Sequence, residues 1–197
     1  MLKQRKQDFP SDLNKKLNIA YINLCTETEG PYKRMAIWFQ GCNILCKGCC
    51  NPELQEIKIA HLMTIQDVVD IALMTKKENC IEGVTFLGGE PTMQEGLGCL
   101  ARALSTVGLG TILFTGKQYD SLSQDIKNSM DLIVDGRYED ELIDNERNLV
   151  GSKNQRIIDI KKVRKWSKYI NTLFFKYVFR NHINKFIIPD EKLDNYK

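Results

Sequence analysis

The chain has 197 residues, 43% hydrophobic and 27% charged, with a formal net charge of +3. That composition is ordinary for a globular protein and long enough for one sizeable core. It excludes a disordered or low-complexity chain, and the absence of any apolar run of roughly 18 residues excludes a spanning helix. The amino-terminal stretch is positively charged but has no apolar core, so it does not read as a secretory signal, and a cytoplasmic setting is expected. The charge is uneven: residues 161–197 hold ten Lys or Arg against three Asp or Glu. The mildly acidic body that remains makes no case for nucleic acid.

Two apolar segments, Leu17–Cys25 and Met35–Gln40, read as short strands separated by the turn TETEGPYKR. The loop GCNILCKGCCNPE follows the second. Thr64 then caps a helix whose inward face is Ile65, Val68, Val69, Ala72 and Leu73, with Asp67 completing an approximate capping box and the helix ending near Asn79. Gly83–Leu87 reads as a buried strand leading into GGEP. Leu97, Leu100, Ala101 and Leu104 mark a second helix that Gly108 and Gly110 end. Thr111–Thr115 and Asp131–Asp135 read as further strands with a helical stretch at Tyr119–Ser129 between them, and Arg156–Ile160 as one more strand. Alternating strands and helices predict an α/β fold with a parallel sheet. Functional loops of such sheets gather at the carboxyl ends of the strands, so the cysteine loop and GGEP are expected on one rim.

Seven cysteines are present, four of them within nine residues. An odd count without a secretory signal argues against a disulfide framework and for metal or redox chemistry. Cys42, Cys46 and Cys49 form C-x3-C-x2-C, which lets one loop wrap three thiolates around one centre. A [4Fe–4S] cluster normally takes four cysteines, so three leave one iron open, as a reactive metal site requires. Gly41 and Gly48 permit the tight turns. A zinc-binding interaction module with Cys50 as fourth ligand is the alternative from another class, although consecutive side chains diverge and suit one tetrahedral ion poorly. Cys25, Cys80 and Cys99 are scattered and read as buried structural residues.

The cysteine loop after one strand and GGEP after the next resemble the radical S-adenosylmethionine (SAM) superfamily. The resemblance implies one [4Fe–4S] cluster on Cys42, Cys46 and Cys49, with the amino and carboxylate groups of SAM on the open iron. It places the methionine amino group at Gly88, Gly89 and Glu90. The stretch EGPYKRMAIWFQGCNILCKGCCNPE is similar to the entry region of the glycyl-radical activating enzymes. LFTGKQYDSL and MDLIVDGRYEDELIDNERNLVGSKNQRIID, with their DG and GSxNQ elements, resemble the anaerobic ribonucleotide reductase branch of those enzymes. Gly48 before the third cysteine points the same way. The resemblance covers about residues 17–160 and implies an incomplete parallel (β/α) barrel within a domain of residues 1–160; residues 161–197 lie outside it and read from their own pattern as a basic, aromatic, helical extension.

The implied activity is oxidoreductase chemistry. A flavodoxin-like or ferredoxin-like donor reduces the cluster, SAM is cleaved to a 5′-deoxyadenosyl radical, and that radical takes a hydrogen from a glycine of a partner anaerobic ribonucleotide reductase or other glycyl-radical enzyme. A radical SAM enzyme acting on a different protein, peptide or small molecule stays open beside it. Thr115, Asp135, Ser152 and Asn154 are further candidates for cofactor contacts, with Gly136 and Gln155 beside them. Tyr32, where the family often has glycine, and Cys50, where it often has tyrosine, depart from the pattern.

Overall fold

The computed structural model describes residues 12–160. Lys16–Thr26 forms β1 and Arg34–Phe39 forms β2. They pair antiparallel, with Ile22 opposite Ile37, and the pairing is irregular between Ile19 and Tyr21. That irregularity shifts the side-chain alternation, so Ile19 and Ile22 join the main core while Tyr21 packs on the other face of the sheet. His61–Thr64 forms β3, antiparallel to the outer side of β1. It runs directly into α1, Ile65–Asn79, with no turn signal between them, which is why the sequence shows only the helix there.

The predicted cap of α1 is present and complete. The Thr64 side chain accepts from the Asp67 amide, and the Asp67 carboxylate accepts from the Thr64 amide at 2.8 Å. Such caps stabilise a helix by about 1 kcal/mol. β4 (Gly83–Gly88), α2 (Leu97–Thr106), β5 (Gly110–Thr115), α3 (Gln124–Ser129), β6 (Leu132–Asp135) and β7 (Arg156–Asp159) follow. The stretch read as one helix at Tyr119–Ser129 is instead a 3-10 turn at Tyr119–Ser121 and the short α3. Leu122 between them is extended and buried, and Ser123 restarts the chain as an N-cap.

The strands make one seven-stranded sheet in the order β3-β1-β2-β4-β5-β6-β7. β2, β4, β5 and β6 are parallel, as expected. β1, β3 and β7 extend that parallel centre with antiparallel pairs, so among the described residues the sheet is open at β3 and β7, as an incomplete barrel would be. One face carries the three helices over Ile37, Phe39, Val84, Phe86, Leu113 and Ile133. The opposite face holds two smaller apolar groups, Tyr21, Ala36, Trp38 and Leu54, and Ile112, Leu132, Val134, Leu149 and Val150.

On that second face Tyr21 stacks on Trp38 with ring centroids 4.5 Å apart. Among the described residues its buried hydroxyl has no hydrogen-bond partner. Burial, and then the Glu53 and Glu29 carboxylates, push the phenol well above its ordinary range, so it stays neutral. Removing an unpaired buried hydroxyl relieves a desolvation penalty. Tyr21→Phe is therefore expected to keep or raise the urea midpoint, by up to about 1 kcal/mol of stability. A loss of that size would mean the hydroxyl does have a partner. Segment 161–197, expected to be a helical extension, lies outside the described residues.

Candidate active site at the carboxyl ends of the strands

Four parallel strands deliver their carboxyl ends to one rim. β2 ends at Phe39, and Gly41, at φ 93°, turns the chain into the cysteine loop. The loop closes on the 3-10 turn Pro52–Leu54, the Gly41 amide donating to the Leu54 carbonyl (2.9 Å) and the Cys42 amide to Gln55 (3.1 Å). β4 ends against it. The Gly89 amide donates to the Phe39 carbonyl and the Glu90 amide to the Gly41 carbonyl, both at 2.8 Å. Gly88 is needed for its φ of 110° and because a Cβ there would lie 2.5 Å from the Phe39 nitrogen. Gly116, just past β5, leaves room for Ile44 of the cysteine loop. The cysteine loop and GGEP thus share the rim that their placement after strands predicts.

Cys42 is buried, and Cys46 and Cys49 are half-buried. Two of the three sulfurs accept a backbone hydrogen bond: the Ile44 amide donates to Cys42 Sγ and the Asn51 amide to Cys49 Sγ, both at 3.4 Å. Burial raises the Cys46 thiol, against the Tyr138 amide and the Arg137 charge, which lower it. Backbone N–H donors on the Cys42 and Cys49 sulfurs suit thiolates ligating an iron–sulfur cluster, whose potential depends on such bonds. Among the described residues no three His, Cys, Asp or Glu side chains are gathered tightly enough to hold one metal ion. A cluster binds each cysteine through a different iron and so takes sulfurs spread wider than a single ion does. The donor set fits the cluster.

Cys50 is exposed and its sulfur accepts from Asn51 Nδ2 at 3.2 Å. Burial of the sulfur and then the neighbouring Cys49 push this thiol up. Cys25 and Cys99 pack half-buried against the core, but Cys80 is exposed, contrary to the expectation of a buried structural residue. The reason is local: Cys80 is the left-handed cap of α1, at φ 57°. Tyr32, the departure from a familial glycine, sits at φ 64°, the region glycine occupies without cost. Gly48, at φ 72°, faces Asp140 and Tyr138 so closely that a Cβ would lie 2.9 Å from Asp140 Cβ.

The other candidate residues turn inward. The Glu90 carboxylate, 1% exposed, accepts from the Thr92 amide (3.0 Å), the Thr92 hydroxyl (2.6 Å), the Thr115 hydroxyl (2.7 Å) and the Gly116 amide (2.9 Å). It pins the GGEP turn to the end of β5. Asp135 is fully buried and accepts from Arg156 Nε (3.0 Å), Arg156 Nη2 (2.5 Å) and the Tyr119 amide (2.6 Å). Ser152 Oγ accepts from the Glu139 amide, and Asn154 Nδ2 donates to the Arg137 carbonyl at 2.7 Å. The structure gathers Cys42, Cys46, Cys49, Gly88, Gly89, Glu90 and Thr115 at the ends of β2, β4 and β5. It ties Asp135, Ser152 and Asn154 into a separate brace beyond β6. Arg156 and Arg137, which hold that brace, were not picked out by sequence reasoning; the only signal for them is their place beside DG and GSxNQ.

Residues 28–158 match the family described as "4Fe-4S single cluster domain". The chain belongs to that family. Its cysteine loop is therefore read with a [4Fe–4S] cluster rather than zinc. The anaerobic ribonucleoside-triphosphate reductase-activating protein of Enterobacteria phage T4 is 28% identical over 147 residues, 72% of this chain and 93% of that protein. The pyruvate formate-lyase 1-activating enzyme of Escherichia coli (strain K12) is 28% identical over 160 residues, 74% of this chain and 64% of that enzyme. Among solved structures, QueE from Escherichia coli aligns with a TM-score of 0.43 at 18% identity, over 58% of this chain and 57% of that one.

Proposed function

We propose that this chain is a glycyl-radical activase whose protein substrate is an anaerobic ribonucleotide reductase. The observation that carries the reading is the match in extent and motif. The chain aligns with 93% of the phage reductase-activating protein but 64% of the pyruvate formate-lyase enzyme, and the DG and GSxNQ segments of the compact branch form one hydrogen-bonded brace here. Cys42, Cys46 and Cys49 are the ligands in this reading, and the backbone at Gly88 and Gly89 lies where a methionine amino group would be received. When bound, the cluster and SAM supply reductive cleavage and hydrogen abstraction.

The chain's own residues do the rest. Glu90 and Thr115 hold the GGEP turn in place through their mutual hydrogen bond. Asp135, Ser152 and Asn154 act by bracing the rim. The apolar face around Trp38 and Leu54 keeps water from the reacting side. The sheet, unclosed at β3 and β7 among the described residues, leaves a lateral way in for a peptide that carries the glycine. A flavodoxin-like or ferredoxin-like protein in the cytoplasm is the proposed electron donor. Among the described residues no helix is long and apolar enough to cross a membrane.

The test is anaerobic reconstitution with iron and sulfide, then dithionite, SAM and the cognate reductase, reading 5′-deoxyadenosine and the glycyl radical by electron paramagnetic resonance. Wild type is expected to give both. Cys46→Ala is expected to lose at least about two orders of magnitude of product, the scale of losing an essential catalytic group. Full activity in Cys46→Ala would remove the ligand assignment. A glycyl radical on pyruvate formate-lyase but not on the reductase would overturn the choice of partner.

A further inference from the structure

The segment after β6 reaches the cysteine loop from 92 residues away in sequence, through Arg137. Arg137 Nη2 donates to the Leu45 carbonyl at 2.9 Å. Leu45 lies between Cys42 and Cys46 at φ 52°, a conformation that a leucine holds only when its surroundings fix it.

Both ends of this contact are themselves held. Asn154 Nδ2 donates to the Arg137 carbonyl at 2.7 Å and Gln155 Nε2 to the Gly136 carbonyl at 3.0 Å. Gln155 Oε1 in turn accepts from the Gly151 and Ser152 amides at 2.8 and 3.1 Å. Lys47 pairs with Asp140 at 3.7 Å across the same seam. The GSxNQ loop clasps the DGRY segment, and DGRY clasps the cysteine loop.

We infer that Arg137 is a positioning residue for the cluster, its guanidinium fixing the middle of the cysteine loop between the Cys42 and Cys46 ligands. The inference rests on the assignment of Cys46 as a ligand. Reduction adds negative charge to the cluster. A nearby cation and an N–H donor on a ligating sulfur both favour the reduced form and raise its potential. Glu139, Asp140 and Glu141 on the same segment act in the opposite sense, and Lys47 in the same sense as Arg137. Arg137→Gln removes one cation and leaves those other four charges in place, so the loss of the Arg137 charge decides the direction.

The experiment compares wild type, Arg137→Gln and Arg137→Lys after anaerobic reconstitution. Iron and sulfide content is measured first, then the midpoint potential by redox titration followed by electron paramagnetic resonance. Arg137→Gln is expected to hold the cluster but to show about a tenfold lower reduced-to-oxidised ratio at the wild-type midpoint, equivalent to about 59 mV for a one-electron couple. Arg137→Lys is expected to recover part of that shift. A wild-type potential in Arg137→Gln, with a wild-type rate of iron loss to a chelator, overturns the inference. If wild type takes up no cluster, the ligand assignment fails instead, and the inference falls with it.

Discussion

Gly89→Ala will yield a protein that takes up little or no iron–sulfur cluster and is less stable than wild type by roughly 3 kcal/mol. A Cβ at this position would overlap the Gly41 carbonyl oxygen, and would sit 2.7 Å from the Gly41 carbonyl carbon and 2.9 Å from the Leu54 carbonyl oxygen. All three are backbone atoms, so no rotamer change relieves the contact. Relief requires the end of β4 to part from the start of the cysteine loop. That parting costs the bond from the Glu90 amide to Gly41 and strains the one from Gly41 to Leu54. The loop so displaced begins with Cys42, so the defect reaches the ligands directly. Iron and sulfide content and the urea midpoint of the reconstituted protein measure the two effects. Full cluster content with an unchanged midpoint would show that the contact between GGEP and the cysteine loop does not set the site.

The parallel centre of the sheet and the shared rim were legible because each depends on short-range pattern. Continuous apolar runs such as GVTFL mark strands buried on both faces, and Thr64 with Asp67 marks a cap. What stayed hidden depends on long-range pairing. The four residues of β3 carry no strand pattern apart from the β1 edge they complete. The antiparallel direction of β7 follows from a loop that returns the chain beside β6. Within the candidate site the meeting of the cysteine loop and the GGEP glycines was legible because both follow the ends of neighbouring parallel strands. The inward role of the Glu90 carboxylate was not. Its four donors come from Thr92, Thr115 and Gly116, and two of those residues lie on a different strand end. Arg137 was invisible for the same reason, since its partner is a backbone carbonyl that no sequence pattern marks.

Arg34→Ala will cost about 4 kcal/mol of stability while leaving the cluster of the folded fraction spectroscopically unchanged. Arg34 is the first residue of β2 and lies at the opposite end of the strands from the cysteine loop. It is fully buried on the face away from the helices. Nη2 donates to the Val84 carbonyl at 2.8 Å and to the Gly110 carbonyl at 2.9 Å, and Nε to the Thr85 hydroxyl at 2.7 Å. One side chain thus ties β2, β4 and β5 together at their starts. Burial pushes the guanidinium down to about 9, and the Asp131 and Glu82 charges oppose that shift. Because the folded-state value is lowered, the cost of burying the charge is carried in full below pH 9 and eases as pH rises above it. Alanine removes that cost but takes the Arg34 hydrogen bonds from two carbonyls and a hydroxyl and opens a cavity. Arg34→Met separates the contributions, since it refills the volume without supplying donors. It is expected to recover about half of the loss. If alanine costs less than about 1 kcal/mol, strand starts held by other contacts would have to replace Arg34 in this account. If methionine equals wild type, the hydrogen bonds contribute no net stability and the filled volume alone sets the loss, as buried charges exchanged for apolar groups of similar size can behave.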